Sequence, residues 1–165
     1  MRSFLVVMII AFFFLSCDDQ RVYERNIDFD SRYWLTSEKP ELEFEITDSL
    51  QSYALYCNVR NSLEYPFARV FVTYYLQDST GALLQKDLVS EFLFDEKTGE
   101  PFGDSGLGDI YHHRIPLIQN FRFPYSGKYR MAFEQYMRTD TLQGILAVGL
   151  RVEKAGLLTH GNTGK

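Results

Sequence analysis

The sequence predicts an all-β protein: a single antiparallel β-sandwich, jelly-roll-like, of about eight strands, preceded by a cleaved signal peptide. Three observations carry this expectation. Apolar residues recur at every second position along most of the chain, the repeat of a strand with one buried face. Clusters of Gly, Pro, Asp, Asn, Ser and Thr punctuate these runs at short intervals, as turns do. Tyr (11) and Phe (14) are abundant, and aromatic rings pack well on a pleated, half-buried surface. With 165 residues the chain is in the range of one domain, and it shows no internal repeat.

The first element is a leader. Arg2 supplies a positive charge, Phe4 to Leu15 are all apolar, Ser16 is small, and Cys17 follows. Charge, apolar run and small residue are the parts of a secretory signal. The run falls short of the ~20 residues of a spanning helix. It also lacks the polar face of a core helix. The cysteine after the small residue resembles the lipobox of bacterial lipoproteins, with Phe14 where Leu is usual. The resemblance implies removal of residues 1–16, acylation of Cys17, and membrane attachment through its acyl chains. Residues 17–22 are then the lipidated N-terminus and tether, 23–154 the β-sandwich, and 155–165 a disordered tail.

The strands follow in order. In "ELEFEITDS", Leu42, Phe44 and Ile46 face one way while Glu41, Glu43 and Glu45 face the other. That carboxylate row reads as a solvated sheet face. In "SYALYCNVRN", Tyr53, Leu55, Cys57 and Val59 share a face, which makes Cys57 a buried thiol. With Cys17 acylated, no Cys17–Cys57 bridge forms. The next stripe is Val70, Val72, Tyr74 and Leu76, ended by the turn Asp78 to Gly81, and Leu83 begins the return strand. A strand through "LVSEFLF" runs into a loop from Asp95 to Asp109 rich in Gly, Asp and Pro. "IYHHRIPLIQNFRF", "YRMAFEQYM" and "ILAVGLRVEK" close the chain, the last with Leu146, Val148, Leu150 and Val152 on one face.

Several features imitate chemistry. "GDSG", Gly103 to Gly106, resembles the nucleophile segment of trypsin-like proteases, but all three histidines lie after Ser105, whereas that family places its base before the serine. His112 and His113 are adjacent, so on a strand their rings point to opposite faces and cannot share one ion. Zinc needs three or four convergent ligands. Asp104 and Asp109 supply oxygen without the ordered spacing of a calcium loop. No P-loop, dinucleotide fingerprint or zinc-protease motif is present. The net charge of -5, without a basic block, argues against nucleic acid. The sequence therefore points to a non-enzymatic module with no catalytic residue, cofactor, metal or small-molecule substrate, and with Cys17 as the lipidation site. A carbohydrate-binding sandwich is the alternative, motivated by the tyrosines and the single Trp34.

Separated segments together resemble the gliding motility lipoprotein GldH family. They are Arg60-Asn61, Tyr65-Pro66 with the apolar run through Phe71-Val72, the loop "GDSGLGDIY", and "GKYRMAFEQYMRTDTLQGILAVGLRVEK" from Gly127 to Lys154. Phe67-Ala68-Arg69 and His112-His113 look individual to this chain. The resemblance implies an envelope lipoprotein, and the outer membrane is its expected location, facing periplasm or cell surface. It implies support of gliding motility and type IX secretion, with other envelope proteins of that machinery as partners. It implies no catalytic residues.

Overall fold

A computed structural model describes residues 20–106 and 108–155. The leader, Cys17 and the stretch beyond Ala155 lie outside the described residues. Eight long strands build the sandwich. They are β1 (Arg21–Asp28), β3 (Glu41–Ile46), β4 (Ser52–Ser62), β5 (Arg69–Asp78), β6 (Leu83–Phe92), β8 (Ile110–Arg122), β9 (Gly127–Gln135) and β11 (Ile145–Lys154). Three short strands complete the set among the described residues: β2 (Tyr33–Leu35), β7 (Asp104–Ser105) and β10 (Thr141–Gln143).

One sheet has the order β1-β11-β4-β8-β7 and the other β3-β9-β5-β6. The long strands pair as nested antiparallel couples: β5 with β6, β4 with β8, β3 with β9, and β1 with β11. This is a ribbon folded back on itself and rolled into two layers, the jelly roll the strand pattern predicts. The long hydrophobic stripes meet between the layers. Leu42, Phe44 and Ile46 are buried, as are Val70, Val72, Tyr74 and Leu76, and the β11 stripe Leu146, Val148, Leu150 and Val152. Trp34, Tyr53, Tyr129 and Phe133 fill the core, and each such side chain contributes roughly 1.5–3 kcal/mol by leaving water.

β1 lies partly in the stretch read as tether: pairing starts at Arg21, opposite Glu153. Its sequence, "RVYERNID", alternates weakly because β1 is an outer strand with a largely solvated surface. Ala155, the first residue of the expected tail, donates its N–H to the Ser52 carbonyl at 2.8 Å.

The sandwich has two distinct ends. At one, the chain enters at Gln20 and leaves at Ala155, and the turns β3–β4, β5–β6 and β8–β9 gather there. Ser52 pairs with Arg122, Ile46 with Gly127, and Asp78 with Tyr129. At the other end β2 and β10 form a small sheet that caps the core. Trp34 stacks on Phe29 with centroids 5.7 Å apart, and its Nε1–H donates to the Glu38 carbonyl at 2.9 Å. Gly144, between β10 and β11, adopts a φ of +75°, and a Cβ there would overlap the Tyr65 backbone. Only glycine fits that corner.

Candidate functional site

The loop read as a protease imitation folds into β7, which pairs along the edge of β8 so that Asp104 faces His112 and Ser105 faces Tyr111. Loop and histidine pair are thereby brought together, which their separate motifs did not announce. The two rings diverge as alternation requires. His112 is exposed and lies across from Arg60 on the outer face; His113 is 7% exposed and lies across from Val59 on the inner face. Gly103 passes so close to the His113 ring that a Cβ would meet it. Burial pushes the His113 imidazole down to a pKa of about 4, opposed in part by Asp104 and reinforced by His112. Its Nε2 has no hydrogen-bond partner. Ser105 is exposed, and its hydroxyl reaches only the Gly106 carbonyl, at 3.4 Å. Among the described residues no hydrogen bond joins its hydroxyl to a base, so this is not the geometry of an activated nucleophile. Among the described residues, no three His, Cys, Asp or Glu side chains gather to hold a metal ion. Cys57 is fully buried between Leu55 and Val59, and burial raises its pKa, so it is a protonated core thiol.

The outer face of the larger sheet carries a polar network that the sequence stripes concealed. On β11 the residues opposite the buried stripe are Ala147, Gly149, Arg151 and Glu153. Arg151 is 6% exposed. Its Nη1 donates to Glu24 of β1 at 2.8 Å and its Nε to Glu153. Glu24 also accepts from Asn58 at 3.0 Å and from Arg21 at 3.1 Å. Partial burial opposes the Glu24 charge, yet the bonds from Arg21, Arg151 and Asn58 hold its pKa below the usual carboxylate value. Arg114 reaches Glu153 at 3.6 Å, and Arg60 reaches Asp28 at 3.1 Å. Gly149 lies under the Asn26 side chain, and a Cβ there would overlap both that side chain and the Arg25 carbonyl. Small residues on β11 thus leave a trough of about 120 Å³ walled by Asn26, Asn58, Arg60 and Arg114. Of its charged lining, Glu24 is paired with Arg151, Arg60 with Asp28 and Arg114 with Glu153, and Asp104 stands at the margin beside His112.

The outer face of the smaller sheet differs. On its β3–β9 side, Glu41, Glu43 and Glu45 are exposed, and two of them meet β9 cations: Lys128 to Glu43 at 2.7 Å and Arg130 to Glu41 at 3.6 Å. The carboxylate row is a solvated, ion-paired face, as read from the sequence. On the β5–β6 side the surface turns apolar. Phe67, Phe71, Leu88, Tyr136 and Met137, with Arg138, line an open groove of about 470 Å³. Phe67 is 41% exposed, Leu88 45% and Tyr136 66%. Phe67 adjoins the Tyr65-Pro66 pair, whose Tyr65 is buried against Phe94 and donates its hydroxyl to the Arg69 carbonyl at 2.9 Å. The sequence reading missed this groove because Phe67, Leu88 and Tyr136 converge from three separate segments. Trp34, the proposed sugar platform, is wholly buried and offers no stacking face.

Fold and surfaces together define the class: a jelly-roll sandwich whose outer faces differ in chemistry, that of the larger sheet paired within itself and the β5–β6 half of the smaller left open. The family model described as GldH lipoprotein matches residues 21–152, and the chain belongs to that family. It is 31% identical over 166 residues to a protein described as the gliding motility lipoprotein GldH homolog of Christiangramia forsetii, covering 94% of this chain and 99% of that relative. It is 25% identical over 156 residues to the gliding motility lipoprotein GldH of Flavobacterium johnsoniae, covering 90% of this chain and 94% of the relative. Among solved structures, the infectious bursal disease virus VP2 subviral particle superposes with a TM-score of 0.41 at 14% identity, over 86% of this chain and 34% of that chain.

Proposed function

We propose that the protein is an envelope-anchored lipoprotein that supports gliding motility and the associated type IX secretion machinery, acting as a non-catalytic scaffold. Membership of the GldH lipoprotein family supports the motility role. The lipobox supports an anchor of acyl chains on Cys17. Two or three such chains give a lasting anchor, whereas one gives only reversible attachment. The protein sits at the outer membrane, facing periplasm or surface, and binds other envelope proteins of the machinery.

The observation that carries the scaffold role is the open groove between Phe67, Phe71, Leu88 and Tyr136. Exposed apolar surface gathered in one place marks a contact site. Deletion of the gene is expected to impair both surface movement and secretion through the type IX system. A deletion strain with both intact would sink the proposal. Radiolabelled palmitate tests the anchor: label is expected on the native chain and lost in Cys17→Ser. Label retained by that variant overturns the lipidation reading.

A further inference from the structure

We infer that the end of the sandwich where the chain enters is a membrane-resting surface, made by the turn tips Leu50, Tyr125 and Leu83. The inference rests on the acylation of Cys17 proposed above and adds what that acylation demands of the folded domain. Cys17 precedes Gln20 by three residues, so a fully extended tether reaches about 10 Å. Gln20 is fixed: its carbonyl accepts the Lys154 N–H at 2.8 Å. The entry end therefore cannot stand away from the lipid surface.

The tips at that end are built to meet one. Leu50 is 86% exposed, and it is held there by a braced turn. Its N–H donates to the Asp48 carboxylate at 2.9 Å, while the buried Tyr53 donates its hydroxyl to the Asp48 carbonyl at 2.7 Å. The turn is tied to the chain exit by Gln51, whose side-chain amide reaches the Ala155 carbonyl at 3.4 Å. Tyr125, 38% exposed, stacks on Tyr129 at 5.3 Å at the β8–β9 turn, and Leu83, 54% exposed, follows the β5–β6 turn. Exposed Arg122 and Lys154 flank these tips, and their long stems allow the charges to reach phosphate headgroups. An apolar tip with an aromatic ring and flanking cations is the composition of an interfacial contact. The occupant is accordingly a phospholipid surface. The domain then stands upright, and the eleven residues of β4 hold the opposite end about 33 Å from the lipid.

The test uses the full-length lipoprotein in vesicles of phosphatidylethanolamine and phosphatidylglycerol. Leu50→Cys carries an environment-sensitive fluorophore; Cys57, fully buried, stays unlabelled. Tyr136→Cys is the control at the far end. The Leu50 probe is expected to shift to the blue and to be quenched by nitroxide-labelled lipid, with the Tyr136 probe unchanged. An acylated protein that floats with the vesicles but leaves the Leu50 probe unquenched overturns the resting surface alone. A protein that takes up no palmitate removes the anchor and the resting surface together.

Discussion

The outer faces of the two sheets have been solved in opposite ways. On the larger sheet, polar side chains are drawn into mutual contact around Arg151, with Glu24, Glu153, Asn58 and Arg114 bonded to each other. On the β5–β6 half of the smaller sheet, Phe67, Leu88 and Tyr136 are exposed, with no covering element among the described residues. A face that satisfies itself holds the fold and offers little to a partner. A face left open costs exposure and is available. On the scaffold role proposed above, stability and recognition fall to different sheets, and substitutions on the two faces should have different consequences.

The largest effect is expected on the closed face. Arg151→Met keeps the bulk but leaves Glu24 and Glu153 without the cation between them, and breaking a buried pair from one side costs roughly 3–5 kcal/mol. Urea unfolding measures it. A loss below about 0.5 kcal/mol, the scale of an ordinary surface substitution, would show that the network is ornamental and abolish the contrast.

The next effect concerns the inner margin of that sheet. His113 is held neutral, with a folded pKa of about 4 against an ordinary value of 6.5. The unfolded chain takes up the proton first as pH falls. The contribution is therefore complete above pH 6.5 and disappears progressively down to about 4, a loss of roughly 3–3.5 kcal/mol at 1.36 kcal/mol per unit. His113→Leu should flatten the stability profile across this window. An unchanged slope would assign the acid sensitivity to carboxylates instead.

A smaller effect tests the charged half of the smaller sheet. Tyr75 donates to Glu134 at 2.6 Å, beside the Lys39–Glu134 pair at 3.0 Å. The Tyr75→Phe variant should lose about 1–1.5 kcal/mol by thermal or urea unfolding, well below the Arg151 effect. An equal loss would mean that both faces are structural. The smallest stability change belongs to the open groove. Leu88→Ser with Tyr136→Ser should alter unfolding by less than about 0.5 kcal/mol while reducing recovery of envelope partners in a pull-down. Unaltered recovery would return the groove to incidental surface.

Much of the sandwich was legible because strand period and burial have the same cause. Leu42-Phe44-Ile46 and Val70-Val72-Tyr74-Leu76 announce their faces directly. Pairing was not legible, since β1 meets β11 across nearly the whole chain and no local signal names a distant partner. The buried Arg151 was hidden for a related reason. In "VGLRVEK" it reads as the solvated side of a stripe, and the carboxylate of Glu24, brought by that distant pairing, joins Glu153 in compensating its buried charge. Trp34, which motivated the sugar-binding alternative, could not be placed inside because β2 is too short to show a period. The resemblance to a lipobox needed no fold to be seen, since it rests on a local order of residue types.

The pairing of β1 with β11 also has a mechanical meaning. With the anchor proposed on Cys17, tension would enter at Arg21, at the entry end, along the direction in which β1 runs. If a partner pulls at the far end, the load acts parallel to the strand, and the hydrogen bonds from Arg21 to Asp28 resist together in shear rather than opening one by one. The strand nearest the proposed anchor is therefore arranged as a lap joint, suited to carrying tension from one end of the sandwich to the other.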